Sequence, residues 1–307
     1  MKTHNNDPNF SIVMPGGCNA KCSFCFNKEQ PSFKTIPISE WIDNLISYIV
    51  PLDNRFYQIS ITGGEPLTSP HLPYLMSVLR PYKAKYSNIL ITTNGTDLIK
   101  NVDTVAIATD HINLSRHHWD EVTNNEIFGG GYHMEDDDVE QAIDLYGARG
   151  IDISANCVIN DTTKPDFIES YIKWAKAIGF YAVRFRKENG TQDPTPAEQY
   201  YKSYKVLWSG SCGVCRTVLQ RIMGMSVYWK TSVLEPSDHM DEVFELVYQP
   251  NGVAYRDWMG KKELPLIEAL IADKYEPVII NKRRGMFRGS TSSCGGSSSS
   301  CGRGGGC

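Results

Sequence analysis

The chain has 307 residues, of which 41% are hydrophobic and 21% charged, the composition of a soluble globular protein with a core of its own. A formal net charge of −4 supplies no bulk attraction for nucleic acid or an anionic membrane. No apolar run approaches the roughly 18 residues of a membrane-spanning helix, and the opening MKTHNNDPNF lacks the apolar stretch of a secretory signal, so a cytoplasmic protein is expected.

Taken in chain order, short apolar or β-branched runs predict strands at Phe10–Met14, Tyr57–Thr62, Asn88–Thr93, His111–Ser115, Ile151–Ile159 and Tyr181–Arg186. Helical periodicity fills the gaps between several of them. Ser39–Val50 opens on Ser39 as a plausible N-cap and repeats Trp41, Ile42, Leu45, Ile46 and Ile49. Pro70–Tyr82, Asp137–Arg149 and Asp166–Ile178 read the same way, and the last closes on Gly179. The acidic run Glu135–Asp138 lacks a calcium-loop pattern and suits the first turn of a helix.

Strands alternating with helices predict parallel βα units, in an open doubly wound sheet or a barrel. In either architecture ligands bind beyond the carboxyl ends of the strands. Residues 191–281 form a less regular α+β extension, with strands expected at Met225–Leu234, Glu245–Tyr248 and Val253–Tyr255. The last two are joined by the turn Gln249-Pro250-Asn251-Gly252. Residues 282–307 carry five basic residues and no acid, and the final 19 hold seven Gly, seven Ser and three Cys. Such a segment has nothing with which to build a core, and a flexible tail is expected.

Nine cysteines remain to be placed. In a cytoplasmic chain, clustered cysteines point to metal or redox chemistry rather than to disulfides. Cys18, Cys22 and Cys25 form C-x3-C-x2-C directly after the first strand. Three thiolates within so short a loop can wrap a small cluster and leave one position open. Spacing alone leaves zinc or three unrelated thiols as alternatives. The second strand then ends in Thr62-Gly63-Gly64-Glu65-Pro66. Its glycines admit a close backbone approach, and Glu65 offers a carboxylate or backbone acceptor for an amine. Both motifs stand at the same end of the sheet.

This pair of motifs, with Phe24 as the aromatic of C-x3-C-x-aromatic-C, resembles the radical S-adenosylmethionine (SAM) superfamily over residues 10–190. The resemblance implies a partial (βα)6 TIM-like barrel with a [4Fe–4S] cluster on Cys18, Cys22 and Cys25. It implies that the amino and carboxylate groups of SAM chelate the open iron. One electron, from a reductant protein such as flavodoxin or ferredoxin, then yields methionine and a 5′-deoxyadenosyl radical that abstracts a substrate hydrogen. Carried over residue by residue, Gly63, Gly64 and Glu65 would meet the methionyl amine and Phe24 would lie near the adenine. Thr93 would contact SAM, Ser115 its carboxylate or ribose, and Asn156 the ribose. Thr93, Ser115 and Asn156 also fit strand-end caps of the following helices. An oxygen-sensitive enzyme follows from an open iron.

The strand motifs Thr92-Thr93-Asn94-Gly95, Asn156-Cys157-Val158-Ile159 and Val183-Arg184-Phe185 look most like the molybdenum-cofactor-biosynthesis enzyme and its peptide-modifying relatives. That enzyme holds a nucleoside triphosphate with basic residues where this chain has Ser60 and Ser154, which weakens a triphosphate reading. Arg184, Arg186 and the run Arg116-His117-His118 remain available to an anionic group. The substrate is accordingly expected to be a peptide, a nucleotide or a small metabolite. Cys157 sits inside a strand as packing. Cys212-Gly-Val-Cys215 is a candidate second Fe–S or metal site. Its further ligands are missing nearby, unless the tail cysteines Cys294, Cys301 and Cys307 supply them. The competing readings are a non-catalytic Fe–S carrier or sensor and a zinc-stabilised binding module. The Gly-Gly-Glu-Pro motif separates them, because a carrier needs no site for an amine.

Overall fold

The structure is a computed structural model that describes residues 9–50, 58–83, 88–130, 134–192, 194–212, 215–232 and 245–261. The tail 282–307 and its three cysteines lie outside the described residues. No helix among the described residues is long and apolar enough to cross a membrane.

Six parallel strands follow one another in sequence order: β1 (Asn9–Met14), β2 (Gln58–Gly63), β3 (Ile89–Thr93), β4 (His111–Ser115), β5 (Asp152–Ile159) and β6 (Ala182–Lys187). Helices α1 (Ile38–Ile49), α2 (Leu72–Leu79), α3 (Val102–Ala106), α4 (Glu121–Ile127), α5 (Asp136–Gly147) and α6 (Pro165–Ile178) lie between them. This is the partial barrel expected of βα units. Alternation along each strand sends one set of side chains to the helices and the other set to the opposite face. Ile59, Ile61, Ile89, Ile91, Ile112 and Leu114 are fully or almost fully buried in one apolar core with the helices. Thr62, Thr92, Asn113, Ser115 and Asn156 occupy the alternate positions and are partly exposed. The barrel's inner face is therefore polar while its outer face is a core.

Local chemistry explains the element ends. α6 begins with Pro165 at its first position and ends at Gly179, whose φ of 95° is the left-handed C-cap conformation. α2 stops before Pro81, which cannot continue the ladder, and a 3-10 turn over Arg80–Tyr82 replaces its last turn. α1 starts one residue earlier than expected. Pro37 is its N-cap and makes no side-chain cap bond, so Ser39 lies inside the first turn rather than capping it. The acidic first turn of α5 is as expected, and Asp136 has further partners in Arg116 and the Trp174 indole.

The strands after residue 191 continue the same sheet at both edges. β9 (Met225–Ser232) pairs parallel to β6, and β10 (Glu245–Tyr248) pairs parallel to β1. The antiparallel strands β7 (Val206–Cys212), β8 (Cys215–Ile222) and β11 (Ala254–Tyr255) complete the order β11-β10-β1-β2-β3-β4-β5-β6-β9-β8-β7. The sheet runs from edge to edge without closing. Helix α7 (Pro196–Tyr200) precedes β7, and Thr195 caps it by accepting from the Glu198 amide at 3.1 Å.

One buried ionic group ties these additions to the barrel. Lys187, at the end of β6, has a side chain only 2% exposed and lies 2.6 Å from Glu198 of α7. Arg216 of β8 reaches the other carboxylate oxygen at 2.7 Å. Removing one partner of a buried pair leaves an uncompensated charge, at a cost of about 3–5 kcal/mol. Glu198→Ala is therefore expected to lower the urea midpoint sharply. The double substitution Lys187→Met with Glu198→Leu should recover most of that loss.

Candidate active site at the cysteine loop

β1 ends at Met14 and runs through Pro15, Gly16 and Gly17 into Cys18. The Glu65 amide donates to the Gly17 carbonyl at 3.1 Å, so the start of the cysteine loop rests on the end of β2. Only glycine permits this approach at position 64. A Cβ there would stand 2.2 Å from the Gly17 carbonyl oxygen, against backbone that cannot yield cheaply. Gly63 has φ of 141°, and its carbonyl accepts from the Asn27 side chain at 2.9 Å, which pins the far end of the loop to the same point.

The loop is also fastened at the ends of β3 and β4. Asn19 donates to the Thr96 hydroxyl at 2.8 Å and accepts from the Asn94 side chain at 2.9 Å. The Lys21 amide donates to the Phe128 carbonyl, beyond α4, at 2.8 Å. Phe24 packs edge-on to His117, with ring centroids 4.7 Å apart, and His117 packs in turn on Phe128 at 5.1 Å. Asn19 and Asn27 are not singled out by the sequence, and His117, read there as available to an anionic group, instead packs on the aromatic of the cysteine loop. The two asparagines flanking the cysteines were the available signal.

Cys18 is exposed, and Cys22 and Cys25 are half-buried. Burial pushes the Cys22 thiol up to about 11, with the neighbouring Cys25 adding to the rise and Lys28 opposing it. Cys18 is raised chiefly by burial, and further by Glu65 and Cys25 against a hydrogen bond from the Ala20 amide. The three sulfurs thus lie within electrostatic reach of one another and repel as thiolates. Among the described residues, no three His, Cys, Asp or Glu side chains converge as ligands of a single ion. A [4Fe–4S] cluster is held by Cys thiolates on separate irons, and three thiols on one short loop, within electrostatic reach of one another, fit that group.

Glu65 departs from the simplest expectation. It is 3% exposed, and its carboxylate accepts from the Thr93 hydroxyl at 2.6 Å, the Asn94 amide at 2.6 Å and the Leu67 amide at 3.0 Å. Burial raises it to about 7, and these three donors pull the other way. The carboxylate therefore clamps the end of β2 to the end of β3, which leaves the backbone of the Gly-Gly-Glu segment facing the loop. Thr93 takes part in the same clamp and accepts from the Gly95 amide at 3.0 Å. Ser115, at the end of β4, and Asn156, in the middle of β5, are register partners, side by side on the inner face.

Other residues fall elsewhere. Arg116 does not face a ligand: it is 2% exposed and bound to Asp136 at 2.8 Å, to the Met134 carbonyl and to the His118 carbonyl, so it locks β4 to α5. Cys157 is fully buried in the core and donates to the His117 carbonyl at 3.5 Å, as packing predicts. Cys212 and Cys215 are register partners at the facing ends of β7 and β8, with β7 the edge strand farthest in sheet order from β1 among the barrel-side strands. A cleft of about 740 Å³ opens beside the loop, with Phe24, His118, Trp119, Val158 and Asn160 in its wall.

His117 gives this region a pH dependence. Burial lowers its pKa to about 3, and its Nδ1 accepts from the Val158 amide at 3.2 Å. An unfolded chain takes up this proton near pH 6.5, whereas the folded chain resists until far lower pH. Stability contributed by neutral His117 is thus present above pH 6.5 and falls as the solution is acidified, by about 2 kcal/mol at pH 5. Urea midpoints measured from pH 7 to 5 should decline accordingly. His117→Asn, whose Oδ1 can still accept from Val158, should flatten the decline.

A family model described as the radical SAM superfamily matches residues 12–175, more than half of the chain. A GTP 3′,8-cyclase of Chlorobaculum tepidum is 26% identical over 170 residues, 52% of this chain and 48% of that protein. A 7-carboxy-7-deazaguanine synthase of Methanothermobacter thermautotrophicus is 28% identical over 167 residues, 51% of this chain and 64% of that protein. The chain thus spans about half the length of the first of these relatives and under two thirds of the second. The crystal structure of Streptococcus suis SuiB bound to precursor peptide SuiA matches at 21% identity and a TM-score of 0.48, covering 60% of this chain and 40% of that one.

Proposed function

The chain belongs to the radical SAM superfamily, and on that premise we propose that it is an enzyme that reductively cleaves SAM at a [4Fe–4S] cluster held by Cys18, Cys22 and Cys25. When bound, the cluster and SAM supply a 5′-deoxyadenosyl radical able to take a hydrogen atom from a substrate. The chain's own residues arrange that chemistry. The Gly63–Glu65 backbone, exposed to the loop because the Glu65 carboxylate is turned inward, accepts from the methionyl amine. Thr93 acts through Glu65 by holding that carboxylate in place. Ser115 and Asn156 offer uncharged hydrogen bonds to the carboxylate or ribose hydroxyls. Phe24, fixed against His117, borders the adenine.

The observation that carries this reading is the seating of Gly64 on Gly17. A carrier or sensor needs only the cysteine loop, and nothing in electron storage calls for a second motif packed backbone to backbone on it. The electron comes from a reductant protein such as flavodoxin or ferredoxin, in the cytoplasm. The substrate is a peptide, a nucleotide or a small metabolite. Cys212 and Cys215 form a second Fe–S or metal site. The test of the SAM site is electron paramagnetic resonance of the anaerobically reconstituted, reduced protein. Addition of SAM should shift the cluster's g-values. A signal of full intensity that SAM leaves unchanged would favour the carrier.

A further inference from the structure

Three side chains close a ring of hydrogen bonds between the turn after β3 and the cysteine loop. The Thr96 amide donates to Asn94 Oδ1 at 2.9 Å, which fixes the way round the Asn94 carboxamide lies. Its Nδ2 then faces Asn19 and donates to Asn19 Oδ1 at 2.9 Å. That turns Asn19 Nδ2 towards the Thr96 hydroxyl, to which it donates at 2.8 Å. The hydroxyl has one proton of its own, and it donates to Asn94 Oδ1 at 2.7 Å. A single arrangement of protons satisfies all four contacts.

The backbone bends to make this ring. Gly95 and Asp97, on either side of Thr96, have φ of 95° and 56°. The left-handed region is open to glycine and uncommon for a residue with a side chain. Such conformations persist where the surroundings enforce them, and they cluster at functional sites.

The ring joins two parts of the site. Asn19 directly follows Cys18. The Asn94 main-chain amide donates to the Glu65 carboxylate at 2.6 Å, and the Glu65 amide donates to the Gly17 carbonyl at 3.1 Å. A closed path therefore runs from the Gly-Gly-Glu segment through Asn94 to Asn19 and back through Gly17. Asn94 is buried, so water competes little for these bonds.

We propose that Thr96 is a positioning residue, which through Asn94 and Asn19 sets the separation between the Gly63–Glu65 backbone and Cys18. This rests on the enzyme reading above, in which that backbone accepts from the methionyl amine and Cys18 holds the cluster. SAM has to reach both at once, so a small drift between them weakens its grip. Iron uptake needs only the cysteine loop and does not depend on that separation.

The experiment compares the full chain with Thr96→Val, which keeps the shape and removes the hydroxyl, and with Thr96→Ser, which keeps the hydroxyl. The first readout is amide hydrogen exchange before reconstitution, followed by mass spectrometry of peptides spanning 15–22 and 63–66. Thr96→Val should exchange about tenfold faster in both peptides, with β5 unchanged, and Thr96→Ser should exchange at the parent rate. The second readout is SAM affinity of the anaerobically reconstituted proteins, by calorimetry without a reductant. Thr96→Val should bind about tenfold more weakly and Thr96→Ser within about twofold of the parent, with iron content within about twofold in all three. The proposal is overturned if Thr96→Val matches the parent in exchange or in SAM affinity, or if Thr96→Ser fails to restore both. It is also overturned if iron content falls with SAM affinity, or if β5 accelerates with the two peptides, since the ring would then be a plain support of the loop or the barrel. A parent that takes up iron but does not bind SAM, while exchange responds as expected, would remove the enzyme reading and leave the link from Thr96 to both segments standing.

Discussion

Replacing Cys18, Cys22 and Cys25 together with alanine is expected to bring 5′-deoxyadenosine formation down to the protein-free background. The three thiols come from one loop, fastened at the ends of β2, β3 and β4. Without them the ligand set proposed for the mouth beside Gly-Gly-Glu-Pro is gone. Cys157 cannot substitute, since it is fully buried on the helix side of β5 and burial holds its thiol protonated. The same variant counts the remaining metal. About four irons per chain after reconstitution would mark a second [4Fe–4S] cluster on the other cysteines, as proposed for Cys212 and Cys215. A residue-free iron count near zero would assign all iron to the first loop and remove that second site.

Gly64→Ala is expected to cost about a hundredfold in SAM cleavage, with iron incorporation reduced as well. The added Cβ would stand 2.2 Å from the Gly17 oxygen and 2.9 Å from the Cys18 nitrogen. Both neighbours are backbone, so relief requires the loop to lift by about an ångström, and displacements of that size at a reacting centre cost on the order of a hundredfold. The lift also breaks the bond from the Glu65 amide to Gly17, and overpacking of this kind destabilises by about 1–3 kcal/mol. Gly17→Ala is the control. A Cβ at that position meets nothing within 4 Å, and Gly17 has no positive φ, so activity should stay within about twofold of the parent. Comparable losses in both variants would mean that glycine flexibility, not close approach, is what the site needs.

The barrel was readable because its signals are local. Asn88–Thr93 is apolar and β-branched and His111–Ser115 alternates polar and apolar residues, both strand patterns, and Pro165 and Gly179 bracket α6 on their own. The cysteine loop and Gly-Gly-Glu-Pro were legible for the same reason, each being a contiguous motif at a strand end. The joining of β9 to β6 and β10 to β1 was not. It depends on pairings across many residues, and no periodicity states which edge a strand will choose. The β7–β8 hairpin was missed because Trp208-Ser-Gly-Ser-Cys212 looks like loop chemistry. α7 could have been found from Thr195-Pro-Ala-Glu198, which has the spacing of a capping box. The direction of the Glu65 carboxylate was also hidden, because it is fixed by the Thr93 hydroxyl and Asn94 amide of the next strand rather than by neighbours in sequence.

His117 shows a subtler limit. As part of Arg116-His117-His118 it reads as one of three polar residues near a mouth. Folding separates them: Arg116 is locked into α5, His118 stacks on Trp119 at 4.1 Å, and His117 is buried against the aromatic of the cysteine loop. The partner each side chain packs against, not residue type, decides which of the three touches the cysteine loop.

The central claim is that the cysteine loop and the Gly-Gly-Glu-Pro segment together cleave SAM. The most direct measurement is incubation of the anaerobically reconstituted full chain with SAM and dithionite, followed by quantification of 5′-deoxyadenosine and methionine. The account predicts both products in equal amounts, in the absence of any added substrate and dependent on the reductant. An intact, reducible cluster that yields neither product would contradict it.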